Sequence, residues 1–268
     1  MNFEVLLSCM NRDEFSIIES SNLKNVNTLI INQCDSDEEI DLDEKHRIIN
    51  TSTRGLSISR NIAIDNAIGD ICLFCDDDEI LISNLEEQIT DAYEQITDAD
   101  IIVFKISNKK KKLKEKIKKL SIFELLRVSS VQISFKRESI KGKIKFDYLL
   151  GAGTPSGSGE ENKFLIECYR AGLNIYYMPI DILTLNDSES TWFSGFDKEY
   201  FYRRGYVTRY IYGLFFSVIY AMYFLVSKIK MYRRTTSFLN ANYYMFKGII
   251  DNCMKNESDY LNREGFKK

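Results

Sequence analysis

Four consecutive acids, Asp76, Asp77, Asp78 and Glu79, follow directly on an apolar run, Ile71-Cys72-Leu73-Phe74-Cys75. The run reads as a buried strand of a parallel sheet, covered on both faces. Carboxylates packed this closely repel one another, so a positive group is expected beside them. At the C-terminal end of a parallel strand, where open α/β sheets bind ligands, a divalent cation carrying phosphates meets that need. The plain alternative is an acidic turn that caps the next helix.

The elements that must hold these acids can be read from periodicity. Apolar strands are expected at residues 3–9, 26–31 and 101–106, with a short one at 47–50 and others at 131–135 and 174–178. Helical spacing marks residues 57–68, with Gly69 as the stop, and a helix to about residue 96 with Ser83 and Glu86 as a capping box. A further helix starts at Glu160, straight after the glycine-rich stretch 151–159, and stops at Gly172. Strands alternating with helices imply a parallel-type α/β sheet. Helical, aromatic-rich sequence runs from about residue 198 onward.

The composition is that of a folded globular chain: 268 residues, 44% hydrophobic and 28% charged, with a net charge of −3. The charge is unevenly spread. Residues 35–44 form an acidic loop, and residues 109–119 hold eight lysines against the single Glu115. Cys72 and Cys75 have the spacing of a metal pair, but on a strand they point to opposite faces and no second pair completes a site, so they read as buried thiols. Met1-Asn2-Phe3-Glu4 has no basic segment and enters a strand at once, so a cytoplasmic location is expected.

Three blocks stand in order along the chain. They are Leu7-Ser8-Cys9-Met10-Asn11-Arg12, then Arg54-Gly55-Leu56-Ser57-Ile58-Ser59-Arg60-Asn61 leading through Gly69-Asp70 to the acids, then Gly159-Glu160-Glu161-Asn162-Lys163-Phe164. Over residues 2–179 this order and spacing resembles the GT-A-fold glycosyltransferases of family 2. The resemblance implies a Rossmann-like, mixed but mainly parallel sheet flanked by helices over residues 1–195, with a helical extension over 196–268. It implies an inverting transfer of one sugar from a nucleotide-diphosphate sugar, a UDP-sugar being the expected donor, to a hydroxyl of a glycan or lipid-linked acceptor in surface polysaccharide synthesis.

Residue roles follow from the same resemblance. Mn2+ or Mg2+ is expected on Asp78, with Asp76 as a second ligand, and Asp76 or Asp77 facing the ribose or donor sugar. Arg60 is expected on the nucleotide or diphosphate, with Ser8, Met10 and Asn11 walling the base. The acid run that usually follows the second strand is replaced by Asn32-Gln33-Cys34-Asp35-Ser36, so Gln33 or Asp35 is expected to read the base. Glu161 is expected to accept the acceptor's proton, with Glu160 as second choice. Glu160 can equally be an acid in a helix's first turn, where the dipole favours it. The only histidine, His46, lies in the acidic loop and is expected to be solvated, so Asn186, Asp187 or Glu189 would stand in for a downstream metal-binding histidine. The processive Q-x-x-R-W pattern is absent, so one sugar per encounter is expected.

Residues 210–227 carry no charge and are flanked on both sides by Arg and Lys. Their length just reaches the roughly 18 apolar residues of a membrane span. Positive charge on both sides and tyrosines throughout point instead to an interfacial helix or one packed within the protein. Peripheral membrane contact is thus expected through 206–234, assisted by 109–119; a homo-oligomer is compatible with the same segment, and no nucleic-acid partner is expected. Two rival readings exist. A sugar-nucleotide nucleotidyltransferase needs a glycine-rich, basic loop after the first strand, which Ser8-Cys9-Met10-Asn11 does not supply. The other is a binding-only protein of the same fold at a membrane surface.

Overall fold

The apolar runs become strands. The computed structural model describes residues 1–107, 115–154, 156–185 and 195–251. In it β1 (Phe3–Met10), β2 (Thr28–Gln33), β3 (Glu38–Asp41), β4 (His46–Thr51), β5 (Ile71–Asp76), β6 (Glu79–Leu81), β7 (Ile101–Ile106), β8 (Lys118–Lys119), β9 (Ile133–Lys136) and β10 (Ile175–Leu185) form one sheet. Its order is β3-β4-β2-β1-β5-β9-β7-β10-β6, with β8 on β10. β4, β2, β1 and β5 pair in parallel, as do β7 and β10, while β3, β6, β8 and β9 run antiparallel to their neighbours. Helices α1 (Glu14–Ser20), α2 (Leu56–Asn66), α3 (Leu85–Gln95), α4 (Ile122–Leu125), α5 (Arg137–Ile140) and α6 (Glu160–Arg170) lie between strands. The expected mixed, mainly parallel sheet flanked by helices, with helical sequence after it, is what the chain forms.

Alternate residues of β1 separate onto the two faces, as the pleat requires. Phe3, Val5, Leu7 and Cys9 join one buried cluster, with α1 and α3 residues such as Ile17, Leu85 and Ile89. Leu6 joins the other, with Ala63 and Ile64 of α2 and Phe164, Leu165 and Cys168 of α6. Phe74 of β5 meets Phe164 of α6 edge-on at 5.9 Å, and Phe164 stacks on Phe146 at 4.3 Å. This aromatic group seats α6 against the strand that ends in the acids. At the opposite end of β1, buried Glu4 accepts hydrogen bonds from the backbone N–H groups of Ile68 and Gly69 and from Arg47.

Several local expectations are corrected. Gly69 does not stop a helix in the left-handed region. It permits close approach, since a Cβ there would lie 2.6 Å from the Glu4 Cβ. The Ser83–Glu86 capping box does not form, because α3 begins a residue later with Asn84 at its N-cap and no capping side chain. Part of the acidic loop pairs as β3. β10 runs on past residue 178 through Pro179, at a register irregularity between Tyr177 and Asp181 where a missing N–H is tolerated. His46 is not solvated. It is 3% exposed, with Nδ1 2.8 Å from both Asp43 carboxylate oxygens and Nε2 3.2 Å from the Leu23 carbonyl.

The chain divides into two compact units, Met1–Phe146 with Glu161–Ser188 and Asp147–Glu160 with Glu189–Lys268. Thus the glycine-rich stretch groups with the C-terminal helices. In that second unit α7 (Lys198–Ser227), α8 (Ile229–Tyr232) and α9 (Phe238–Asp251) follow one another. α7 and α9 cross at two glycines. A Cβ on Gly205 would lie 2.0 Å from the Met245 carbonyl oxygen, and one on Gly248 would lie 2.0 Å from that of Tyr202. Backbones this close leave no room for a methyl group, so Gly248→Ala must part the helices. The expected cost is about 2 kcal/mol or more, seen as a lowered unfolding midpoint. An unchanged midpoint would show that the crossing tolerates separation.

Candidate active site

The sheet brings most of the expected site residues to one edge. In register, Ser8 lies beside Asp76 across β1 and β5, Met10 beside Gln33 across β1 and β2, and Gln33 beside Thr51 across β2 and β4. All of these are at the C-terminal ends of parallel strands. The chain lays β2 and β4 on one side of β1 and then returns to place β5 on the other. The β1/β5 junction is therefore the switch point, outside which open α/β sheets form a ligand crevice.

The four acids have four different fates. Asp76 ends β5 and is taken by Arg60, whose Nη2 donates to both carboxylate oxygens at 3.0 and 3.1 Å. Arg60 is 1% exposed, donates at 2.7 Å to the Ser130 hydroxyl and lies 5.5 Å from the Phe146 ring centre. Burial thus fixes it and, through it, Asp76. Asp77 is taken by Arg12, whose Nε donates at 2.7 Å. Glu79 turns inward at 2% exposure and accepts from the Asp76 backbone N–H at 3.1 Å; burial first, and then the charge of Asp76, push its carboxyl well up. Asp78 alone is exposed with no arginine on it among the described residues. Loss of water on its protein side, and then the charges of Asp76 and Asp77, raise its carboxyl too.

The far side of the edge is built around backbone and amides. Ser8 is buried and accepts a hydrogen bond from Ser59 of α2 at 2.8 Å. Met10 is 48% exposed at the end of β1, and Asn11 turns the chain there with a φ of 49° while its N–H donates to the Gln33 carbonyl. The Gln33 amide donates to the carbonyls of Thr53 and Gly55 at 3.0 and 3.2 Å, which commits its donors to the loop before α2. Asp35 is almost fully exposed and accepts from Arg54 at 2.6 Å, while the same guanidinium clasps the Cys34, Ser52 and Thr53 carbonyls. Of the two residues expected to read a base, Asp35 is thus the one at the surface.

Glu161 lies in the first turn of α6 at intermediate exposure, and Glu160 just before it is 7% exposed. Two residues given no role from the sequence hold site carboxylates, Arg12 on Asp77 and Arg54 on Asp35. Both sat inside the conspicuous blocks, and the signal available was their positive charge just past a strand end. Asn186, Asp187, Glu189 and residues 109–114 lie outside the described residues.

A hard divalent cation suits this donor set, which is carboxylate oxygen. Among the described residues no three His, Cys, Asp or Glu side chains converge as a closed cage. An ion on Asp78 would thus complete its shell from donor phosphates and water, as Mg2+ characteristically does in phosphate-handling sites.

Residues 10–151 match the family described as glycosyl transferase family 2. Among solved structures, S. aureus TarS 1–349 in complex with UDP-GlcNAc is similar at 13% identity and a TM-score of 0.59, covering 94% of this chain and 89% of that one. The mannosyltransferase PcManGT from Pyrobaculum calidifontis, in complex with GDP-Man and Mn2+, is similar at 10% identity and a TM-score of 0.53, covering 94% of this chain and 88% of that one. These likenesses are of fold. No curated protein matches the chain by sequence.

Proposed function

The chain belongs to glycosyl transferase family 2, and we propose that it transfers one sugar per encounter, with inversion at C1, from a nucleotide-diphosphate sugar to an acceptor hydroxyl. The observation that carries this reading is the sorting of the acids at the switch point, where two are held by arginines and Asp78 is left facing solvent. The acceptor in this reading is a glycan or lipid-linked glycan of surface polysaccharide synthesis, met at the cytoplasmic face of the cell membrane.

The residues divide the work. Asp78 would hold Mn2+ or Mg2+, with Asp76 behind it kept in place by Arg60. When bound, the cation supplies charge stabilisation to the leaving diphosphate. Asp77, steadied by Arg12, is offered to the ribose or donor sugar. Met10, Asn11 and the backbone at Ser8 form the wall for the base, Asp35 offers it an acceptor, and Gln33 shapes the loop through its amide. Arg60 acts here by positioning Asp76. An acceptor hydroxyl is a weak nucleophile, so Glu161 takes its proton as it attacks from the face opposite the diphosphate; Glu160 is the second choice.

Titration calorimetry and thermal shift with UDP-, GDP- and dTDP-sugars, each with Mn2+, with Mg2+ and with chelator, test the donor site. Stabilisation by one nucleotide class, lost with chelator, is the expected result. No response to any donor with either metal would overturn the donor-site reading and favour a protein of this fold that acts only at a membrane surface.

A further inference from the structure

α7 is not one straight rod. At Gly213 the backbone leaves helical geometry, with φ 75° and ψ 178°. Arg204 before the break bonds the Tyr220 hydroxyl after it and lies 4.2 Å from the Phe224 ring centre. Sixteen residues of continuous helix would separate Arg204 from Tyr220 by about 24 Å, so the second half folds back on the first. That second half, residues 214–227, would be only about 21 Å long at 1.5 Å per residue, short of the roughly 30 Å of a hydrocarbon core. Folded in this way, α7 is not a membrane span, although its overall length and composition pass for one.

The folded-back half buries Ser217, Ala221, Phe224 and Leu225. Its other side carries Phe215, Ile219, Met222 and Val226 at spacings of four, three and four, with Phe216 and Tyr223 beside them. Every one of these six is more than half exposed. A stripe of this kind, uncovered by the described residues, needs an occupant, and the charge of the segment chooses between candidates. From residue 200 to residue 250 the chain has eight Lys and Arg and no acid at all. Lys230, Arg233 and Arg234, just past the stripe, are exposed. A second copy of this surface would bring Lys230, Arg233 and Arg234 up against the same three cations, and like charges brought together across an interface are costly. An anionic bilayer offers apolar depth to the stripe and negative charge to its basic flank.

We infer that residues 214–234 dock the protein on anionic lipid, the folded-back half of α7 lying in the plane of the interface with Phe215, Ile219, Met222 and Val226 toward the acyl chains. This sharpens the membrane-face location in the proposed function and does not depend on the donor chemistry. The test is co-sedimentation of the full chain with vesicles of phosphatidylcholine alone and with vesicles partly replaced by phosphatidylglycerol, at low and high salt. Binding confined to the anionic vesicles and weakened by salt is expected. Reversing Lys230, Arg233 and Arg234 to Glu is expected to weaken it about 100-fold. Ile219→Glu with Met222→Glu is expected to abolish it while far-UV circular dichroism and the unfolding midpoint stay as in the parent. If the apolar variant misfolds, the charge-reversal variant at exposed positions still decides. Equal binding to neutral vesicles, no binding to either, or a dimer in sedimentation that Ile219→Glu dissociates would overturn the inference. A protein that binds vesicles but no nucleotide sugar would overturn the catalytic reading and leave this one standing.

Discussion

Asp78→Asn is expected to lose the metal-dependent part of donor binding and to cut transfer at least about 100-fold, close to 2.7 kcal/mol of transition-state stabilisation. The fold should not suffer. Asp78 is exposed, makes no arginine pair among the described residues, and its carboxyl is raised by lost hydration on its protein side and then by Asp76 and Asp77. Removing a charge that its neighbours oppose should leave the unfolding midpoint where it was or raise it slightly. This pairing of lost activity with kept stability is what separates a ligand-directed acid from a structural one. Replacing Asp76 should lower the unfolding midpoint as well as activity, because it strands the buried guanidinium of Arg60. Calorimetric titration of the donor with and without Mn2+, beside a thermal melt, reads both quantities. Unchanged donor affinity in the presence of metal would remove Asp78 from the site.

Glu161→Gln is expected to keep donor binding and lose turnover by about 100- to 10,000-fold, the range over which a positioned general base contributes. The amide has nearly the shape of the carboxylate, so α6 and its seat on Phe74 and Phe146 should be undisturbed. A split of this kind, with donor affinity constant and kcat reduced, reports a group used in the chemical step rather than in binding. Near-normal turnover would reassign the proton, and Glu160→Gln would then be the next variant to measure.

How much of this was legible beforehand depended on the range of the interaction. β1, β2, β5 and β7 were readable because an apolar run covered on both faces leaves little choice of period or burial, whereas the acid-rich β3 and the three-residue β6 offered no such run. The position of the acids at a strand end was readable for the same reason. Their division of labour was not, because the deciding partners are far away in sequence: Arg12 is 65 residues before Asp77, and Arg60 is 16 before Asp76. His46 was misjudged through its charged neighbours. The fold sets the start of β4 beside the Leu23 carbonyl, and a ring with acceptors at both nitrogens is buried comfortably. The uncharged run 210–227 likewise looked continuous. Only the backbone at Gly213 reveals two short helices in place of one long one.

The placement of β10 bears on how the protein is made. β1, β2, β4 and β5, with the acids that follow, lie close together in residues 3–79 and can pair with one another as soon as they appear. β7 ends at Ile106, but its parallel partner β10 does not begin until Ile175. At a ribosomal rate of about 5–20 residues per second, that gap holds one edge of β7 open for roughly 3 to 14 s. The nascent chain thus carries the strand ends that hold the acids before its sheet is closed. One unpaired apolar strand edge is exposed during the same interval, and this is when chaperone capture or misassociation would compete with folding.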